Sequence, residues 1–123
     1  MEITIEKELL LEMLQFAAER YPNESILILR GNSSKERVEI TDYLFPPSGW
    51  GDPRFAGFPL YLLPMDLSYM GTFHSHPSGN TNPSLTDIHK MFGRVMLIAG
   101  YPFLLENISA YKKDGDRIQV RIT

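Results

Sequence analysis

The sequence of 123 residues contains no cysteine. This absence excludes disulfide bonds, thiolate metal ligands and cysteine nucleophiles, and it is compatible with a reducing compartment. The sequence also has no apolar run of the roughly 20 residues that a membrane-spanning helix needs. The charged segment 1–8 does not resemble a signal peptide. We therefore expect a cytoplasmic protein that does not interact with membranes.

Basic residues are not in excess either. The net charge is −3 and no basic stripe is visible, so nucleic acid is not an expected partner. Hydrophobic residues make up 43% of the sequence, which is ordinary for a soluble globular protein. The length fits one domain, residues 1–123, and is too short for a β/α barrel.

Two histidines and an aspartate form the pattern with the clearest chemical meaning. His74 and His76 are two positions apart, and Asp87 follows eleven positions after His76. Residues 71–76 have the pattern of a strand, in which alternate side chains share a face, so both imidazoles project together. A polar loop, residues 78–83, can then return Asp87 to the end of the strand. Imidazole and carboxylate suit zinc, and three protein ligands leave one tetrahedral position open, as in catalytic sites.

Each part of this pattern also has a purely structural interpretation. Ser84 and Asp87 fit a capping box at the start of a helix that we predict from about Ser84 through Phe92. Histidines two positions apart are often surface residues. His89 lies two positions beyond Asp87 and points elsewhere, so we predict a solvated side chain. The combination of two imidazoles, a closing loop and a carboxylate in one segment favours a metal site.

The remaining periodicity predicts a mixed β-sheet flanked by two helices, an α+β or α/β fold. Apolar residues recur at helical spacing through residues 7–21, and Pro22 ends this helix. Asp114-Gly115 forms a turn before the last strand. The predicted strands are residues 3–5, 25–29, 37–44, 60–63, 71–76, 95–99, 108–111 and 117–122.

A stretch rich in proline and glycine, residues 45–59, interrupts this pattern. Its aromatic residues Trp50, Phe55 and Phe58 either cover an edge of the core or form a binding lip. We favour covering, because aromatic residues in proline-rich loops commonly pack locally. The sequence does not decide whether this loop contacts a substrate.

The metal pattern resembles a known family signature. His74-Ser75-His76-Pro77, followed by Ser84 and Asp87, is similar to the H-x-H-P, S-x-x-D signature of the JAMM (JAB/MPN) metalloproteases, prokaryotic and archaeal members above all. The resemblance implies the MPN fold, which is similar to that of cytidine deaminases, and it covers nearly the whole chain. Further matching positions are Tyr21-Pro22-Asn23-Glu24, Leu29, Gly31, Gly71-Thr72-Phe73 and Gly100-Tyr101-Pro102.

The resemblance also implies roles for individual residues. His74, His76 and Asp87 would bind one zinc ion per chain, with a water at the open position. Glu24 would act as the general base on that water. Ser84 would donate its hydroxyl to the oxyanion that forms during amide hydrolysis.

The chain departs from the family pattern next to Glu24. The family commonly has cysteine and glycine where this chain has Ile26 and Leu27. Without the resemblance, Glu24 would be interpreted as an exposed residue just past a helix end, since fifty positions separate it from His74. The H-x-E and P-C-x-x-C elements of deaminases are absent, so deaminase chemistry is not expected.

By this resemblance the chain would be a zinc metalloprotease of isopeptidase type. Its substrate would be the amide bond at the C-terminus of a ubiquitin-like protein, either a small archaeal modifier or a sulfur carrier. Two alternatives remain open, a non-catalytic MPN scaffold and a metal-binding regulatory subunit. The sequence also does not decide whether the chain acts alone or as a homodimer.

Overall fold

The computed structural model describes residues 1–47, 49–51 and 56–123. No helix among these residues is long and apolar enough to cross a membrane. The described residues form nine strands and three helices, one of them a 3-10 helix. In chain order, these elements are β1 (Glu2–Ile5), α1 (Lys7–Arg20), β2 (Ile26–Ser33), β3 (Arg37–Leu44), β4 (Trp50–Gly51), β5 (Ala56–Gly57), a 3-10 helix (Leu60–Leu62), β6 (Tyr69–His76), α2 (Leu85–His89), β7 (Val95–Gly100), β8 (Ile108–Lys112) and β9 (Arg117–Ile122).

Seven strands form one mixed sheet that closes on itself. Their order is β1-β3-β2-β6-β7-β8-β9, and β1 closes the ring by pairing in parallel with both β3 and β9. β6 lies between β2, to which it is antiparallel, and β7, to which it is parallel. The predicted mixed sheet with two helices is confirmed, and the closure is a feature that the sequence did not predict.

Helix α1 covers one face of this sheet. Its apolar positions at helical spacing, Leu10, Met13, Leu14 and Ala17, are buried, while the glutamates between them face solvent. Burial of such a stripe is the main stabilising contribution that an amphipathic helix makes. The helix ends at Arg20, and Tyr21 is its C-terminal cap rather than its last turn.

The central strands β6 and β7 are buried on the other face of the sheet as well. All six residues of β7 are buried, as the continuous apolar run predicted. Val95, Leu97 and Ala99 belong to the main core with α1, whereas Met96 and Ile98 form a second cluster with Tyr111 and Met91. This second face is the one that carries the histidines of β6.

Residues 60–63 are not the strand that we predicted. Leu60–Leu62 forms a 3-10 helix, closed by hydrogen bonds from the Leu62 amide to Pro59 and from the Leu63 amide to Leu60. Prolines on both sides remove backbone donors that a strand would need, so the segment bonds within itself.

Helix α2 is shorter than predicted, because it ends at His89 rather than near Phe92. Gly93 adopts a positive φ of 74°, and a side chain there would come within 2.7 Å of the Met70 backbone. The Arg94 amide then bonds to the Met70 carbonyl at 2.8 Å. Close approach to β6 therefore stops the helix, a constraint that the local sequence does not reveal.

The proline-rich loop contains a small hairpin of β4 and β5, in which Trp50 faces Gly57 and Gly51 faces Ala56. Phe58 is half-buried and packs against Phe92, with ring centroids 6.1 Å apart. Trp50 is 51% exposed. Phe55, the third aromatic residue of the prediction, lies outside the described residues.

Candidate metal centre

Strand β6 presents its two histidines on one face, as predicted from their spacing. His74 and His76 are 7% and 8% exposed, and Phe73 lies on the opposite face within the main core. His74 is paired with Ile26 on one side and with Ile98 on the other. A strand flanked on both sides holds its side chains rigidly, which suits a binding site.

The loop after β6 brings Asp87 back to the strand end. The Gly79 amide bonds to the His76 carbonyl at 3.1 Å, and Gly79 adopts a φ of 86° that favours glycine. Ser84 then caps α2: its Oγ accepts from the Asp87 amide at 3.0 Å, and its own amide donates to Asp87 Oδ2 at 2.8 Å. The capping-box interpretation is therefore confirmed. The same box holds the buried Asp87 carboxylate in place.

His76 and Asp87 are in direct contact. His76 Nε2 lies 3.4 Å from Asp87 Oδ2. Two ligands about 2.1 Å from one ion at a tetrahedral angle lie about 3.4 Å apart, so this spacing fits a shared zinc ion. The other ring nitrogen, Nδ1, is 2.8 Å from the Asn80 carbonyl oxygen. A carbonyl can only accept, so Nδ1 carries the proton, and a neutral His76 presents the lone pair of Nε2, as metal-binding histidines do.

His74 is chemically suitable as the third ligand. The structure does not place it where it would share one ion with His76 and Asp87. The Nε2 of His74 lies 3.1 Å from Thr72 Oγ1, and its buried Nδ1 has no hydrogen-bond partner among the described residues. His74 and Asp87 line the same cavity of about 80 Å³. Within residues 1–47, 49–51 and 56–123, no three histidine, aspartate or glutamate side chains are placed so that they hold a metal ion together. The three-ligand set therefore stays a prediction, supported by donor chemistry and by the His76 to Asp87 spacing.

Electrostatics give two of these residues the protonation state that a metal ligand needs. Burial lowers the pKa of His74 to about 4, although the charge of Asp87 opposes this shift. Burial raises the pKa of Asp87, but hydrogen bonds from His76 and from the Ser84 backbone outweigh it, and the pKa falls to about 2. At neutral pH, His74 is therefore neutral and Asp87 is ionised.

The pKa of His76 is raised, whereas those of His74 and Asp87 are lowered. Burial lowers the pKa of His76, but the hydrogen bonds to Asp87 and Asn80 and the charge of Glu24 together raise it. Without metal, a proton on Nε2 is stabilised beside the carboxylate. A metal ion needs the same nitrogen unprotonated, so zinc and a proton would compete for Nε2.

Glu24 lies near this group, on the segment between α1 and β2. Its side chain is half-buried, and its charge is near enough to affect the pKa of His76. A side chain at Gly51 would come within 1.9 Å of the Glu24 carbonyl, so the small hairpin packs directly against this segment. Glu24 also lines a cavity of about 190 Å³ together with Phe16 and Trp50. The fold therefore brings the distant glutamate to the side of the histidines.

Several residues that support the site were not predicted from the sequence. The side-chain amide of Asn107 donates to the carbonyls of Gly79 and Tyr101, at 3.2 and 3.3 Å, and ties the loop after β6 to the end of β7. Asn80 orients His76 through its backbone carbonyl, which no side-chain pattern reveals. His89 is exposed and lies outside the site, as predicted.

The buried, neutral state of His74 predicts a pH dependence of stability. Its pKa is about 4 in the folded protein and 6.5 ordinarily, so below pH 6.5 the unfolded chain binds a proton that the folded chain does not. The free energy of unfolding of metal-free protein should therefore fall as the pH drops from 6.5 to 4, by about 3 kcal/mol from His74 alone. Urea unfolding at several pH values measures this.

The variant His74→Gln should lose that part of the pH dependence. His89→Gln, at the exposed end of α2, is the matched control and should behave as the unaltered chain does. Equal pH dependence in His74→Gln and the unaltered chain would contradict the assignment.

Comparison with known proteins identifies the family. Residues 6–113 match the family described as prokaryotic homologs of the JAB domain. A relative from Haloferax volcanii, named "Probable metalloprotease", is 33% identical over 110 residues, which cover 84% of this chain and 68% of the relative.

Solved structures share the fold over nearly the full chain. A JAB1/MPN domain protein from Archaeoglobus fulgidus has a TM-score of 0.70 at 27% identity, covering 100% of this chain and 99% of its own. A structure described as JAMM, a metalloprotease-like zinc site in the proteasome and signalosome, has a TM-score of 0.71 at 24% identity, with coverage of 100% and 99%. A protein from Desulfitobacterium hafniense shares the fold with a TM-score of 0.73 at 21% identity, covering 98% of this chain and 92% of its own. The α+β fold and these matches show that the chain belongs to the metalloprotease-like JAMM (JAB/MPN) family, among the prokaryotic homologs of the JAB domain.

Proposed function

We propose that this chain is a zinc-dependent isopeptidase that hydrolyses the amide bond at the C-terminus of a ubiquitin-like protein. The observation that carries the proposal is the contact of 3.4 Å between His76 Nε2 and Asp87 Oδ2, with the other ring nitrogen of His76 held by Asn80. The similarity to a relative named as a metalloprotease supports the reaction class. The ubiquitin-like substrate rests on the resemblance of the motif to JAMM proteases.

His74, His76 and Asp87 would hold one zinc ion. A neutral imidazole, an imidazole with its outer nitrogen bonded to a carbonyl, and an ionised carboxylate match the donors of catalytic zinc sites. When bound, zinc would lower the pKa of a water towards about 7, which makes hydroxide available at neutral pH.

Glu24 would take the proton from this water and deliver it to the leaving amine. A carboxylate can perform both steps in turn. Its half-buried position and its influence on the pKa of His76 support this role. A pathway through a covalent thioester is excluded, because the sequence has no cysteine.

Ser84 would donate its hydroxyl to the oxyanion. Its Oγ accepts the Asp87 amide at 3.0 Å, which leaves its own O–H free to donate elsewhere. A positioned donor of this kind stabilises charge that develops in the transition state. Ser84 would therefore combine a structural role in capping α2 with a role in the reaction.

The substrate tail would lie extended along a strand edge. The large sheet closes on itself, so in the described part of the chain the small β4–β5 hairpin is the natural place for an added strand. This hairpin packs against the Glu24 segment through Gly51. A tail paired with it would bring its C-terminal amide towards Glu24.

Removal of the metal provides the first test. Purified protein should contain about one zinc per chain and release a fluorescent amine conjugated to the C-terminus of a ubiquitin-like protein. A chelator should abolish the release, and stoichiometric zinc should restore it and raise Tm.

The same measurement separates the two alternatives. A non-catalytic scaffold would bind no zinc, and a metal-binding regulatory subunit would bind zinc without hydrolysing any conjugate. Protein that binds no metal at all would contradict the proposed mechanism.

A further inference from the structure

We propose that Ser25 and Ser75 form a positioning pair that holds Glu24 against the strand of the metal ligands. Ser25 directly follows Glu24, and Ser75 lies between His74 and His76. This inference rests on the proposed function, because it assigns the pair a role in aligning the base for amide hydrolysis.

The two serines are joined by three hydrogen bonds. Their Oγ atoms are 2.7 Å apart, and the Ser25 amide donates to Ser75 Oγ at 2.8 Å. The Ser75 amide donates in turn to the Ser25 carbonyl at 3.0 Å. Both residues are buried, with 5% and 0% of their surface exposed. Solvent therefore does not compete for these bonds.

The position of the pair explains why it matters for Glu24. The ladder between β2 and β6 begins with Ile26 opposite His74. The serine pair extends this contact by one residue, up to the neighbour of Glu24. On the other side, Gly51 packs against the Glu24 carbonyl. The backbone at Glu24 is thus held between the large sheet and the small hairpin.

The side chain of Ser75 takes part in two hydrogen bonds of the pair, whereas the side chain of Ser25 takes part in one. Ser75 Oγ bonds both the amide and the hydroxyl of Ser25. Alanine at position 75 would leave both groups buried without this partner, and an unsatisfied buried polar group is costly. The Ser25 segment would move to satisfy them, and Glu24 would move with it. Alanine at position 25 would remove only the bond between the hydroxyls.

The decisive variant is Ser75→Ala in the zinc-loaded protein. With the fluorescent conjugate of a ubiquitin-like protein as substrate, we expect kcat to fall by about 10- to 100-fold, since a shift of about 1 Å in a reacting group has this effect. KM should stay within about twofold and the zinc content should not change, because Ser75 points away from the metal-ligand face. Ser25→Ala should give a smaller loss in kcat.

A second readout does not depend on activity. In the metal-free protein, NMR should show faster hydrogen exchange of the Ser25 amide in Ser75→Ala, because that amide loses its acceptor. The control is Thr4→Val, which removes another buried hydroxyl, on β1, and should change neither kcat nor Ser25 exchange.

Combining variants separates positioning from general damage. If the serines act through Glu24, Ser75→Ala should cost no further activity in a Glu24→Gln background. An unchanged kcat in Ser75→Ala, or the full additional loss in that background, would overturn the inference while the proposed function stands. If Ser75→Ala does not fold, the same comparison with Ser25→Ala decides. If the unaltered chain hydrolyses no conjugate, both the proposed function and this inference are overturned.

Discussion

We expect Glu24→Gln to bind about one zinc per chain and to lose about 10³-fold in kcat, because general-base catalysis contributes between 10² and 10⁴. Glutamine keeps the size of the side chain but cannot accept the proton of the water. Its amide also leaves the donor set of His74, His76 and Asp87 intact. Metal analysis and steady-state kinetics on the same preparation measure both parts of this prediction.

The matched control is Glu19→Gln, which removes the same charge from an exposed position near the end of α1. This variant should retain full activity. If Glu24→Gln were as active as Glu19→Gln, Glu24 would not be the base, although the metal site would stand. If Glu24→Gln lost its zinc, Glu24 would have to be counted among the ligands.

The second large effect is expected for Asp87→Asn, which separates the structural and metal-binding roles of this residue. Asparagine still offers an oxygen to the Ser84 amide, so the cap of α2 should persist. It lacks the negative charge that a carboxylate ligand supplies. Because changes to groups that merely support ligands cost 10- to 100-fold in affinity, loss of this ligand should weaken zinc binding by more than about 100-fold. Activity should fall to background.

Zinc competition with a chelator measures the affinity, and Ser84→Ala is the control. That variant removes the capping hydroxyl and should lower the free energy of unfolding of metal-free protein by about 1 kcal/mol. It should keep its zinc. Equal zinc affinity in Asp87→Asn and the unaltered chain would show that Asp87 caps α2 but does not bind zinc.

Local patterns predicted the parts of the site that lie within one segment. The two-residue spacing of His74 and His76 gave a shared face because side chains alternate along a strand. The three-residue spacing of Ser84 and Asp87 gave a capping box because it matches the first turn of a helix. Such relations depend only on neighbouring dihedral angles, so sequence is sufficient for them.

The errors in the prediction have two different causes. Residues 60–63 carry strand-like apolar residues, but the flanking prolines, a local feature, made a 3-10 turn more favourable. Helix α2 has an apolar pattern as far as Phe92, yet the close approach of Gly93 to Met70 ends it at His89. That second constraint comes from a distant strand and is not encoded in the periodicity of its own segment.

The sequence by itself determined the donor types, the strand and helix that present them, and the absence of any thiol chemistry. Only the tertiary structure decided that the sheet closes, that Glu24 approaches His76 across more than fifty positions, and that Ser25 meets Ser75. The physical reason is that these contacts depend on how strands from distant parts of the chain pair, and local periodicity does not specify that pairing.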